Sequence, residues 1–286
     1  MADWLESFLS LRIHVLIRFG QWDRLLDLQI PKDEELYCVT TAMIQYGHGI
    51  ALAATGNVKA AEEAQALFNE AVKRVKPSRT LFNNASLDIL AIAREMLKGE
   101  IEYRKNNVDP AFEHLRKAID LEDHLSYDEP WGWSTSCPSF SFPIFPVSHL
   151  RNVPSLPHCN TRSKINTRKV QPTRHALGAL SLEQGAIAEA VQIYKADLGL
   201  DDTLQTAQRH LNNVWSLHGY HECLVKLGKE EEARDIKARL DEALKGADVE
   251  VGSSCFCRLG VGKSEEGKTD KVRGGVTVGD GCCEKE

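Results

Sequence analysis

Four cysteines near the C-terminus stand out as residues whose type and spacing could do chemistry. Cys255 and Cys257 are separated by one residue, and Cys282 and Cys283 are adjacent. Four thiolates can hold a tetrahedral zinc ion, but paired ligands usually have a gap of about two residues, which lets both sulfurs face the ion. These spacings instead favour reduced, exposed thiols. The alternative function is a metal- or redox-linked protein that uses the same four thiols.

Histidines form a second group of potential ligands. His218 and His221 lie three residues apart beside Glu222, and His210 precedes them. This arrangement differs from the HExxH pattern, which places two imidazoles and a base on one helix face. We therefore interpret these histidines as surface or groove-lining side chains. The sequence also lacks a GxSxG serine motif and a phosphate-binding loop after a strand, so it predicts no enzyme activity, no cofactor and no metal site.

Aromatic and polar side chains elsewhere suit the recognition of a peptide. Asparagine can pair with a peptide's main chain, arginine with a carboxylate, and aromatic rings with apolar side chains. The candidate ligand-binding residues are Tyr46, Arg174, Asn213, Trp215 and His218. The alternative interpretation is structural. In that case Trp131 and Trp215 pack between helices. Arg174 would then pair with Asp128 or Glu129.

Such residues need rigid elements to position them, and the sequence predicts pairs of helices joined by tight turns. Glycine and asparagine accept the left-handed backbone of these turns at little cost. The candidate turn residues are Gly20, Gly56, Asn106, Gly185 and Gly228. Small residues recur at fixed distances from the turns: Gly178 lies seven residues before Gly185, and Ala190 lies five after it. Small side chains at these positions let two helices cross closely.

This pattern resembles the tetratricopeptide repeat family. The matching residues are Gly49, Gly56, Ala61, Pro77, Gly99, Ala111, Leu115, Ala118, Leu177, Gly178, Gly185, Ala190 and Tyr194. The resemblance covers most of residues 4–244, and residues 127–130, 172–174 and 213–217 resemble a divergent bacterial and fungal branch of the family. It implies an all-α solenoid of helix–turn–helix hairpins stacked into a right-handed superhelix. Such a scaffold binds a protein or peptide partner on its concave face.

The composition is typical of a soluble protein, and the sequence as a whole predicts a cytoplasmic one. The formal net charge is −6, which argues against a nucleic-acid partner. No apolar run approaches the roughly 18 residues that span a membrane. The N-terminal residues carry charges that the apolar centre of a secretory signal would lack, so the cysteines are expected to be reduced. We therefore predict neither a nucleic-acid nor a membrane partner.

The N-terminal unit is atypical. Residues 4–17 place apolar side chains at the spacing of an amphipathic helix, and Gly20 follows as a turn. Phe8, Leu11 and Val15 make this helix apolar on more than one side, although a terminal repeat normally has a polar outer face. We expect either further repeats before Met1 or a partner that covers this face.

The sequence predicts one array of hairpins, residues 1–133 and 171–245, interrupted by residues 134–170 and followed by residues 246–286. The interruption has five of the ten prolines and no Asp or Glu, and prolines at that density prevent helix. We interpret it as translated non-coding sequence, such as a retained intron. The alternatives are a genuine loop insertion and a proline-rich ligand for an SH3-type domain. Residues 246–286 hold nine of the twenty glycines and have no apolar period, so they are predicted to be a disordered tail.

Overall fold

The computed structural model describes residues 2–126, 172–245, 247 and 251–258. Within these ranges the regular structure is almost entirely helical, which confirms the predicted all-α class. The helices are α1 (Ala2–Leu5), α2 (Leu11–Arg18), α3 (Trp22–Leu26), α4 (Cys38–Ala54), α5 (Val58–Lys73), α6 (Ser86–Arg104), α7 (Val108–Asp123), α8 (Pro172–Glu183), α9 (Ile187–Asp197), α10 (Val214–Lys226) and α11 (Glu230–Leu244). The predicted interruption, residues 134–170, lies outside the described residues.

Five turns have the left-handed backbone that their residue types predict. The φ angle is +60° at Gly20, +89° at Gly56, +65° at Asn106, +78° at Gly185 and +69° at Gly228. In each turn the N–H of the next residue bonds to the carbonyl five residues earlier, as from Asn57 to Leu52 at 2.8 Å. This closure ends one helix and turns the chain back, so the predicted turn positions are confirmed.

The helices pack as hairpins, and neighbouring hairpins pack against each other. α4 pairs with α5, α6 with α7, α8 with α9, and α10 with α11. Between hairpins, α4 contacts α6, α7 contacts α8, and α10 contacts both α8 and α9, while α2 and α3 pack on α4. Glycines lie at the crossings, since a Cβ on Gly49 would be 2.8 Å from Cδ1 of Leu97. A larger side chain there would push α4 and α6 apart.

The apolar residues at the N-terminus form short pieces instead of one helix. A 3₁₀ helix, Glu6–Ser10, separates α1 from α2. Glu6 is buried, and its carboxylate accepts a hydrogen bond from the N–H of Thr40 in the first turn of α4, at 2.6 Å. The hydroxyl of Thr40 donates in turn to the carbonyl of Glu6, at 3.3 Å. A tertiary contact, which periodicity cannot show, therefore sets the shape of this segment.

One small β-hairpin departs from the expected all-α structure. β1 (Thr80–Leu81) pairs antiparallel with β2 (Asn84–Ala85), and Phe82 between them has a φ angle of +51°. The side chain of Asn84 donates to the carbonyl of Ser126 at 3.0 Å and accepts from its N–H at 2.8 Å. Strands of two residues are too short to show the alternation from which strands are predicted.

α7 and α8 pack directly against each other, although the chain between them is long. Thr173 donates a hydrogen bond to Glu122, which is 51 positions earlier. In the next pair, Nη2 of Arg174 lies 2.5 Å from Oδ2 of Asp123. The last described helix before residues 134–170 and the first described helix after them therefore share one interface.

Deleting residues 134–170 is expected to raise the free energy of unfolding by about 1 kcal/mol. The deletion shortens the separation between Glu122 and Thr173 from 51 positions to about a quarter of that, and a shorter connection loses less entropy when its ends meet. Thermal unfolding followed by circular dichroism measures the change. A variant that replaces the same residues by a Gly/Ser linker of equal length should melt below the deletion variant. A lower melting temperature for the deletion than for the full chain would contradict this prediction.

Candidate functional site

The structure has a groove that is lined mainly by α2, α4, α6 and α8 and covered by residues 251–258. The helix residues along it are Ile17, Trp22, Ile50, Ala54, Met96 and Ala176, together with the polar His14, Arg18, Tyr46 and Glu100. Cys255, Phe256 and Cys257 close the groove from the other side. The cavity left beneath them has a volume of about 70 Å³. We call residues 251–258 the covering segment.

Phe256 anchors the covering segment through its ring. The ring lies edge-to-face on Trp215, with a centroid distance of 6.3 Å, and Trp215 lies in the same way on Phe19 at 5.9 Å. A Cβ added to Gly20 would be 3.2 Å from the Phe256 ring. Gly20 therefore serves both the turn and the pocket, because a side chain there would occupy the place of the ring.

Polar groups of three helices also hold the covering segment. Nη2 of Arg104, at the end of α6, donates to the carbonyl of Cys257. Ser254 and Tyr194 of α9 share a hydrogen bond of 2.6 Å between their hydroxyls. Arg258 forms an ion pair of 2.7 Å with Glu222 of α10. A main-chain carbonyl, a hydroxyl and a charged side chain of the covering segment thus each bond to a side chain of a helix.

The covering segment corrects two expectations about the tail. Residues 246–286 were expected to be disordered, yet Val251, Ser253 and Ser254 are buried against the helices, so that expectation does not hold for residues 251–258. Cys255 and Cys257 were expected to be free thiols, but they are bonded to each other as a disulfide. The sequence gives no sign of this packing because the segment forms no regular element and contacts helix surfaces remote in sequence. Cys282 and Cys283 lie outside the described residues.

Two of the predicted ligand-binding residues, Tyr46 and Arg174, lie far apart in their roles: Tyr46 is at the groove, and Arg174 is at the interface between α7 and α8. Tyr46 lines the groove but is only 2% exposed, and burial raises the pKa of its hydroxyl above the ordinary range. Arg174 faces α7, where it pairs with Asp123 at 2.5 Å. The structural interpretation of Arg174 named other acidic partners, Asp128 and Glu129, which lie outside the described part of the chain.

The other three predicted residues belong to α10 and its start. Asn213 caps this helix, because its Oδ1 accepts from the N–H groups of Trp215 and Ser216 at 3.0 and 3.3 Å; an asparagine before an apolar run is a signal for that role. Trp215 is 5% exposed, and the guanidinium of Arg18 lies 3.9 Å above its ring. His218 is half-buried, and burial lowers its pKa. A ligand role for these five residues stays a prediction.

Sequence reasoning selected Trp215 but missed Arg104 and Glu222, the charged side chains that hold the covering segment. Arg104 is held by Glu100, whose Oε1 accepts from its Nε and Nη2 at 2.9 and 2.6 Å. An acidic residue four positions before a basic one is common on helix surfaces, so the pair gives no warning of a site. Glu222 was considered only as a possible neighbour of metal-binding histidines.

A buried polar cluster adjoins the groove through Arg18. Asp197, at the end of α9, is fully buried and accepts hydrogen bonds from His175, His210 and Ser216. The distances are 3.3 Å to Nε2 of His175 and 2.6 Å to Nδ1 of His210. Nη2 of Arg18 donates to Nδ1 of His175 at 2.9 Å. The cluster therefore connects α2, α8, α9, α10 and the loop before α10.

Serine, histidine and aspartate are the residue types of a nucleophilic triad, but this cluster has a different geometry. In a triad the serine hydroxyl bonds to histidine, whereas Ser216 donates directly to Asp197. Because Arg18 donates to Nδ1 of His175, that ring carries its proton on Nε2 and donates it to Asp197. Ser216, His175 and Asp197 are all buried. The arrangement fixes helix positions and offers no hydroxyl to a substrate.

Burial and hydrogen bonds together set the charges of the cluster. It lowers the pKa of His175 to about 4, with a further contribution from the charge of Arg18, so this imidazole is neutral at pH 7. Burial by itself would raise the pKa of Asp197, but hydrogen bonds from His175 and His210 hold that pKa well below its usual range. Asp197 is thus a buried carboxylate stabilised by hydrogen bonds.

Glu122 is expected to make the stability depend on pH. Burial raises its pKa to about 8, although Thr173 and Arg174 act in the opposite direction. Because this folded-state pKa lies above the unfolded value, the stability contribution is complete below about pH 4.5 and is lost as the pH rises through 8. Its slope is at most about 1.4 kcal/mol per pH unit. Glu122→Gln should retain the bond from Thr173 and flatten this fall.

The pH effect is measured by urea unfolding between pH 5 and pH 9. Glu113→Gln is the matched control, because Glu113 lies on the same helix but is exposed, and it should follow the parent chain. An equal fall for Glu122→Gln and the parent chain would show that Glu122 is ionised throughout.

No protein-family model, curated protein or solved structure matches this chain. The fold and the site by themselves define an all-α protein of helix hairpins, with a groove that a segment of the same chain covers. In the ranges that the structure describes, no group of three or more His, Cys, Asp or Glu residues could hold a metal ion. No helix in those ranges is long and apolar enough to cross a membrane.

Proposed function

We propose that this protein is an interaction scaffold that binds an extended segment of a protein partner in the groove, without catalysis. The observation that carries the proposal is the covering segment, which occupies the groove as a bound peptide would. In the same proposal the hairpins form a tetratricopeptide-like superhelix, with the groove on its concave face. The contacts from α4 to α6 and from α8 to α10 support that arrangement.

The chemistry of the groove suits a peptide better than a small molecule. Beside the groove, Arg104 donates to a main-chain carbonyl, an interaction that any peptide can accept, and the Trp215 ring contacts the Phe256 ring. The enclosed volume of about 70 Å³ is well below the roughly 300–1,000 Å³ of pockets for small molecules. A partner would therefore take the place of the covering segment and would not fill the cavity beneath it.

Photo-crosslinking from inside the groove tests the proposed function. A photoreactive amino acid in place of Met96 should capture a partner protein from a cell extract, and capture should rise when Phe256→Ala loosens the covering segment. The control position is Leu67, which is 55% exposed on the outer helix α5 and should capture no such partner. Equal capture from both positions, or capture from Leu67 alone, would contradict binding in the groove.

A further inference from the structure

The covering segment presents three consecutive residues to three separate receptor groups. The Phe256 ring lies on Trp215, the carbonyl of Cys257 accepts from Arg104, and Arg258 pairs with Glu222. An aromatic side chain and a basic side chain two positions later are therefore bound at the same time, the first by Trp215 and the second by Glu222. The carbonyl between them fixes the register.

Two of the receptor groups, Arg104 and Trp215, also have partners outside the covering segment. Glu100 holds Arg104 through two hydrogen bonds, and the Arg104 side chain is 3% exposed. Trp215 is held between Phe19 and the guanidinium of Arg18. Groups that are already in position bind a ligand with a smaller loss of entropy. The pocket is thus available to any segment that has the same pattern.

The chain's own segment leaves part of this receptor unused. Nη1 of Arg104 is buried and has no hydrogen-bond partner among the described residues. A buried donor without a partner is unfavourable. A segment from another protein that supplies one more acceptor at this position would therefore be a better ligand than residues 251–258.

We infer that the groove selects partner segments with an aromatic residue two positions before a basic residue, and that residues 251–258 are the chain's own competing copy of this ligand. The inference rests on the proposed function and names the class of partner. Because the covering segment is tethered, its effective concentration is on the order of millimolar. A partner segment therefore binds the intact chain only by displacing it.

Fluorescence anisotropy with a labelled peptide tests this inference on the full chain. The peptide copies residues 251–258, with serine in place of both cysteines. It should bind the Phe256→Ala chain about tenfold or more tightly than the parent chain, because the tethered competitor is weakened. Val225→Ala, an exposed substitution on α10, is the control and should bind like the parent chain.

Peptide variants test the two anchors separately. Replacing the peptide's phenylalanine by alanine, or its arginine by glutamate, should weaken binding to the Phe256→Ala chain by about tenfold. A chain with both Phe256→Ala and Glu222→Arg should reverse the second preference and bind the glutamate peptide better. That reversal cannot come from misfolding, since a misfolded chain would bind neither peptide selectively.

Three results would overturn the inference. The first is equal binding of the parent, alanine and glutamate peptides. The second is the absence of any reversal with Glu222→Arg in a chain of unchanged circular dichroism. The third is a concentration-dependent dimer of the parent chain that the peptide dissociates, which would identify a second copy as the occupant. If Met96 captures a partner while the peptides show no selectivity, only this inference fails and the proposed scaffold function stands.

Discussion

Asp197→Ala is expected to destabilise the protein by about 3–5 kcal/mol, the usual cost of removing one partner from a buried charged network. Asp197 is fully buried and accepts from His175, His210 and Ser216. Without the carboxylate, two imidazoles and a hydroxyl would remain in the interior with no acceptor at that position. Since these groups belong to α8, α10 and the loop before α10, the junction of α2, α8, α9 and α10 would loosen as a unit.

Urea unfolding at pH 7 measures this effect. Asp235→Ala is the matched control, because Asp235 is an exposed aspartate on α11, and it should change the free energy of unfolding by no more than about 0.5 kcal/mol. Asp197→Asn tests the charge separately and should lie between the parent and alanine variants, because an amide oxygen still accepts. A loss below about 1 kcal/mol for Asp197→Ala would contradict the buried network.

Gly219→Leu is expected to cost about 3 kcal/mol, at the upper end of the range for overpacked cores. A Cβ at Gly219 would lie 2.2 Å from Cζ of Tyr194. The ring cannot move away, because a Cβ on Gly178 of α8 would be 2.7 Å from the same atom. The Tyr194 hydroxyl is also bonded to Ser254. Tyr194 thus fills the space between α8 and α10 completely, and its displacement would also disturb the covering segment.

A smaller side chain at position 194 should make room for a side chain added at position 219. The double variant Gly219→Ala with Tyr194→Leu should be more stable than the sum of the two single losses predicts, because each change relieves the other. Gly252→Ala is the control, since nothing lies within 4 Å of a Cβ at that exposed glycine, and it should be neutral. Strictly additive losses for the pair would show that the helices separate instead of repacking.

Much of the fold follows from local sequence. Gly56 and Gly185 form turns because glycine accepts the left-handed backbone wherever it occurs. Asn106 does so as well, with a φ angle of +65°. The offsets of Gly178 and Ala190 from Gly185 are set by the rise and turn of the α-helix, so they predict which residues lie at a crossing. Information of this kind is contained within a few neighbouring positions.

The candidate site follows from no such pattern. Arg104 and Cys257 are 153 positions apart and are joined by one hydrogen bond. Arg18 and His175 are 157 positions apart. Neither pair has a spacing, a period or a motif that links its members. Only the packing of distant hairpins brings them together.

Asn213 and Trp215 show the difference between what local sequence predicts and what tertiary packing decides. Their residue types are compatible both with ligand contacts and with packing, and the sequence by itself could only state both possibilities. The structure uses the Asn213 amide to cap α10 and places Trp215 between Arg18 and Phe256. The sequence by itself determined helices, turns and small-residue crossings, because each depends on near neighbours. Only the tertiary structure decided which surface became a groove and that residues 251–258 cover it, because those contacts depend on how the whole chain packs.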